Sequence, residues 1–206
     1  MTTASPSPAL QRLQHGPVLS TLVRLSLPNV LGLAMTVLVG IAETWYVARM
    51  GVTPLAAMAL VFPFAMLTGM LSAGAMGGGV SSAISRALGA RDAARANTLA
   101  VHALMIGAGM GIAYSALLLA WGPALYRLLG GRDAVLAQAV AYAGVLFSGA
   151  VLLWVSNTLA SVLRGTGNVR VPAQVLVASA VLQIALGGLL GLGLGPVPAH
   201  GMAGLA

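Results

Sequence analysis

The sequence predicts an all-α, polytopic transmembrane helix bundle of five complete spans plus the start of a sixth. Three observations carry that reading. Hydrophobic residues make up 59% of the 206-residue chain and charged residues only 6%, against about 25% charged in an ordinary soluble domain. The charges are also gathered at intervals: residues 50–85, 96–126 and 134–163, and everything after Arg170, contain no Asp, Glu, Lys or Arg. Each corridor exceeds the roughly 20 apolar residues that cross a hydrocarbon core. None alternates like a barrel strand, so backbone polar groups in lipid must be satisfied within helices.

Residues 1–21 begin Pro- and Ser-rich and lack an apolar core; they read as a disordered cytoplasmic tail ahead of a transmembrane unit over 22–206. The spans fall at about 25–47, 55–84, 98–121, 136–162 and 172–194. The second is longer than a bilayer needs, so its end is expected to continue as helix into the next loop. Pro28 and Pro172 are expected in first turns, where a missing N–H costs nothing. Pro63 lies mid-span and is expected to kink or loosen its helix. After Gly195-Pro196-Val197-Pro198 the sixth span begins. Glycine pairs at helical spacing, Gly74 with Gly78, Gly107 with Gly111 and Gly187 with Gly191, predict close helix–helix approach.

Orientation follows from the arginines. With the N-terminus cytoplasmic, that face holds Arg12, Arg24, Arg86, Arg91, Arg95, Arg164 and Arg170, and the opposite face only Arg49, Arg127 and Arg132. These arginines punctuate spans and form no stripe, which argues against nucleic acid as a partner and for the lipid bilayer. Trp45, Tyr46, Trp121, Tyr126 and Tyr142 fall near the outer interface.

Enzyme chemistry finds no foothold. There is no cysteine, and every basic residue is arginine, which excludes thiolate sites, a Walker-type lysine and Schiff-base catalysis. His15, His102 and His200 belong to no metal-ligand spacing. Neither an enzyme nor a metal protein is expected. Glu43 is the one carboxylate inside a span. A charge at membrane depth costs about 2.5–3.5 kcal/mol on insertion scales, which marks it as functional. Its position four residues from the outer end also permits snorkelling to the interface. Asn157 and Gln183 are intramembrane amides, suited either to helix–helix hydrogen bonds or to a site. Tyr114 and Trp154 lie deep enough to pack the bundle or to stack on flat cations.

Several stretches together resemble the multidrug and toxic compound extrusion (MATE) transporters. Leu25-Ser26-Leu27-Pro28 through Glu43-Thr44-Trp45-Tyr46-Val47-Ala48-Arg49-Met50-Gly51 is similar to that family's opening helix. Leu55-Ala56-Ala57, Phe62-Pro63 and Ser85-Arg86-Ala87-Leu88-Gly89-Ala90-Arg91-Asp92 follow in order. The most specific match is Leu163-Arg164-Gly165-Thr166-Gly167-Asn168-Val169-Arg170-Val171-Pro172, which looks like the link between the fourth and fifth helices. The resemblance implies the N-terminal lobe of a twelve-helix, two-lobe antiporter in the cell membrane, on the pattern of a bacterial inner-membrane protein. Such a protein expels small cationic amphipathic drugs in exchange for protons or sodium ions and needs no other cofactor.

On that reading Glu43 is the ion-coupling residue, and Tyr46, Tyr114, Trp154, Asn157 and Gln183 are candidates for the substrate cavity. The partner is a second lobe of the same type or another copy of the chain. Two departures stand out. Glutamate replaces the family's frequent aspartate at 43, and Gly187 stands where some members carry a second acid. A flippase for lipid-linked oligosaccharides and a non-transporting truncated membrane protein are the alternatives.

Overall fold

The computed structural model of the chain describes residues 18–193, 198 and 200–205. Among the described residues seven α-helices follow one another: α1 Val18–Met50, α2 Val52–Gly69, α3 Gly77–Gly89, α4 Ala93–Leu128, α5 Asp133–Ser148, α6 Ala150–Gly165 and α7 Arg170–Leu186. A π-helical segment, Met70–Met76, joins α2 to α3, and a second, Gly187–Gly191, extends α7; a 3₁₀ turn covers Gly201–Gly204. Val30–Met50, Val52–Gly89, Ala93–Leu128 and Arg170–Gly191 are each long and apolar enough to span a membrane. α5 and α6, bent by 42° at Gly149, are long and apolar enough only as a pair, which makes five spans if the pair counts as one. The all-α, multi-pass architecture expected from the charge-free corridors is therefore present.

The ends of these helices have local causes. Gly51 adopts φ 117° between α1 and α2, a value that favours glycine, so the chain reverses there. The Asp92 side chain accepts the Arg95 backbone N–H at 2.8 Å and caps α4. Asn168 Oδ1 accepts the Val171 N–H at 3.2 Å and starts α7 after Gly167 at φ 84°. The Leu163–Pro172 motif is thus a helix-stop, glycine-turn, helix-start device.

Four expectations need correction or relocation. α1 begins at Val18, inside the stretch read as tail, and runs through position 28, so Pro28 is not in a first turn; residues 1–17 lie outside the described residues. Pro63 sits within an unbroken α2, and the loosening comes later, at Met70–Met76. There Ser72 Oγ donates to Thr68 O at 2.7 Å and Thr68 Oγ1 to Phe64 O at 2.9 Å. Such back-bonding competes with the helix ladder. The wide π turn rotates the register beyond it, so Gly74 and Gly78 face open space, while Gly77 meets Ser161 instead. Finally, the sixth span is represented among the described residues only by the 3₁₀ turn, docked by His200 N–H donating to Leu190 O at 2.8 Å. Most of the 195–198 approach lies outside them.

The core lies between α2, α4, α5 and α6, with Val61, Tyr126, Phe147 and Trp154 among its fully buried large side chains. Gly107 and Gly111 bring α4 against α6, as their spacing predicts: a Cβ on Gly111 would stand 2.9 Å from Val151 Cα. α1 and α7 pack on each other at one side of this core.

Candidate functional site

The seam between α1 and α7 holds the intramembrane acid. Gln183 Nε2 donates to Glu43 Oε1 at 2.6 Å, joining residues 140 positions apart. One helical turn further along α1, Tyr46 donates its hydroxyl to Ile184 O at 2.9 Å, so two side chains of α1 grip one turn of α7. Val47 is buried beside them, which orients this face of α1 inward. Tyr142 of α5 is also buried, in the same apolar cluster as Val47.

A second acid at position 187, which the resemblance associates with this helix, would press on Leu205 and Tyr46. A Cβ on Gly187 would meet Leu205 Cδ2 at 3.3 Å and the Tyr46 ring at 3.4 Å. Glu43, Gln183 and Tyr46 are thus the side chains whose polar atoms bond across the seam. Among the described residues no group of three or more His, Asp or Glu is placed to hold a metal ion.

The remaining candidates sit elsewhere. Tyr114 donates its hydroxyl to Phe64 O at 2.8 Å, and its ring centroid is 6.3 Å from that of Trp154. Trp154 is 1% exposed and packs on Gly111. Asn157 donates to Ser72 Oγ at 2.8 Å, fastening α6 to the π-helical segment. The polar chain continues outward: Ser161 Oγ donates to Asn157 O at 2.8 Å, and Arg164 Nη2 donates to Ser161 Oγ at 2.8 Å. The structure thus divides the six candidates into two groups. Glu43, Tyr46 and Gln183 share the α1–α7 seam, and Tyr114, Trp154 and Asn157 lie in the α2–α4–α6 interior.

Tyr142 was legible only as an interfacial aromatic, since nothing in its sequence neighbourhood points to α1. Ser72 and Ser161 carried no signal either, because small hydroxyls are common in membrane helices.

Residues 28–189 match the family model described as MatE. The chain is 30% identical over 200 residues to a protein of Shewanella oneidensis named FAD transporter, covering 94% of this chain and 43% of that one. It is 30% identical over 157 residues to the probable multidrug resistance protein YoeA of Bacillus subtilis, covering 76% and 34%. A crystal structure of MATE in complex with MaD3S superimposes with a TM-score of 0.86 at 32% identity, over 98% of this chain and 44% of that one. The chain therefore spans less than half the length of each of these proteins.

Proposed function

Since the chain belongs to the MATE family, whose members are membrane transporters and not enzymes, we propose that it forms the N-terminal lobe of a secondary antiporter. The lobe works with a second lobe of the same type, or with another copy of the chain, in the bacterial inner membrane with its N-terminus cytoplasmic. The exported compounds are small cationic amphipaths and the coupling ion is the proton. The observation that carries this reading is the Glu43–Gln183 hydrogen bond across the α1–α7 seam.

Glu43 binds a proton when the seam opens to the outer face and releases it when the seam is hydrated from the cytoplasm. In the carboxylate form it accepts from Gln183; in the acid form it gains a donor of its own and loses its charge. Either change alters what holds α1 to α7. A positively charged drug and the proton then compete for the same negative site, which is the logic of exchange. Sodium coupling would need more anionic oxygens than Glu43 with Gln183 supplies. Anionic flavin nucleotides are the second reading for the substrate, favoured by the name of the Shewanella relative.

The test uses everted membrane vesicles containing a transporter in which this lobe is paired with a second one. Glu43→Gln should keep folding and some ethidium binding but abolish ethidium movement driven by a pH gradient, while Glu43→Asp retains part of it. Normal proton-driven movement by Glu43→Gln would refute the coupling role. Flavin movement without ethidium movement would shift the substrate assignment and leave the coupling assignment standing.

A further inference from the structure

A cleft of about 470 Å³ opens between α3 and α4, far in sequence from the Glu43 seam, lined by Ala83, Arg86, Ala87, Arg95 and Leu99. We propose that it binds an anionic phospholipid, Arg86 and Arg95 holding the headgroup phosphate and the apolar floor receiving the start of an acyl chain.

Both arginines are exposed at the end of the bundle that carries the 90–92 turn, the level at which a span leaves the hydrocarbon. Arg95 stands in the first turn of α4, where the helix dipole disfavours a cation, so helix stability does not account for it. Asp92, the acid three residues before it, accepts the Arg95 backbone N–H on Oδ1 and not the guanidinium. Arg86 donates Nη1 to the neutral Ser82 Oγ at 2.8 Å, which orients its fork without discharging it. The helix N-terminus adds partial positive charge, offset in part by Asp92, and Arg91 contributes a third cation on the same turn.

The floor is hydrophobic and continuous with a buried cluster of Ile84, Ala87 and Ala96, against which Leu99 packs. A free phosphate uses only the arginines, whereas a phospholipid uses arginines and floor together, and basic clefts between spans on the cytoplasmic side are suited to anionic headgroups.

The test measures lipid retained on the full detergent-purified chain by native mass spectrometry, offering phosphatidylglycerol or phosphatidylcholine with the same acyl chains. The chain should prefer phosphatidylglycerol. Arg86→Gln with Arg95→Gln should cost roughly thirty-fold in that preference, about five-fold per arginine. Arg127→Gln with Arg132→Gln removes the same charge from the other end and should leave it intact. Ala83→Leu fills the cleft with no change of charge and should also lower retention, which decides the matter if the double arginine variant proves unfolded by size exclusion. Wild-type preference in the folded cleft variants overturns the site. Equal competition by inorganic phosphate at matched concentration assigns it to free phosphate and overturns the lipid.

Discussion

Replacing Gly111 by alanine tests whether the α4–α6 contact sets the stability of the lobe. The added Cβ would lie 2.9 Å from Val151 Cα and 3.1 Å from Trp154 Cβ, where unstrained carbons sit about 3.5–4.0 Å apart. One of these neighbours is backbone and the other is the root of a 1%-exposed tryptophan, so neither can swing aside. The helices must part by roughly 0.5–1 Å, which forfeits part of the dispersion along the whole seam. Overpacking of this kind costs about 1–3 kcal/mol, or roughly 3–10 °C in melting midpoint for a chain of this size.

The comparison that gives the prediction its force is Gly109→Ala, on the same helix and facing open space. It should be neutral or stabilise by up to about 1 kcal/mol through helix propensity. Gly107→Ala supplies a third point, because its Cβ would fall 2.5 Å from Thr158 Oγ1. Thr158→Ala should therefore rescue Gly107→Ala and leave Gly111→Ala unrescued, a coupling that a double-mutant cycle reads directly. The assay is loss of monodisperse protein on size exclusion after heating in detergent. Equal midpoints for Gly111→Ala and Gly109→Ala would sink the argument.

Three further outcomes are expected. Single cysteines at Arg91 and Arg170 should be protected from an impermeant thiol reagent in intact cells and one at Val52 labelled; the reverse pattern would invert the topology drawn from the arginines, and the native absence of cysteine keeps the background low. Asn157→Leu leaves the buried Ser72 hydroxyl without its donor and should cost about 1–3 kcal/mol, with hydrogen exchange rising first in Met70–Met76; unchanged exchange there would show that the amide does not hold the π-helical segment. Tyr46→Phe removes the bond to Ile184 O and should cost about 1 kcal/mol, seen as faster exchange in α7 but not in α4, while uniform loosening would contradict a local role.

What the sequence made legible follows from which forces dominate in lipid. Hydrophobic corridors and arginine punctuation are large, additive signals, and the helices fall where they predict, with ends shifted by up to seven residues. Glu43 and Gln183 were also legible, since an acid and an amide in hydrocarbon are conspicuous. Their pairing was not, because it depends on how α1 and α7 lie together. The register of Gly74 and Gly78 failed for a different reason. A π-helical turn inserted at Ser72 and its neighbours shifts every later face, and counting by 3.6 cannot detect it. The bend at Gly149 was likewise hidden: it accompanies Ser115 Oγ donating to Phe147 O at 2.7 Å and Ser148 Oγ donating to Val145 O at 2.7 Å. The first of those partners lies in another helix.

The placement of the acid agrees with the proposed coupling role on mechanical grounds. The α2–α4–α5–α6 side of the lobe is tied by buried aromatics, glycine approaches without slack, and the polar chain from Ser72 to Arg164. The α1–α7 pair differs in leaving long apolar faces of both helices exposed. α7 contributes only Pro172 and Ala180 to the buried residues over Arg170–Leu186, and Val30, Leu33, Val37 and Ile41 of α1 are exposed. Across the seam Gly32 meets Leu176, the Tyr46 ring lies against Gly187 and Gly188, Met50 reaches Gly191, Tyr46 donates to Ile184 O, and Gln183 donates to Glu43. Under the proposed coupling, a proton arriving at Glu43 alters one of the two polar side-chain ties that cross this seam. An acid that converts protonation into helix movement has to act through such a tie, and Glu43 is the span carboxylate placed at one.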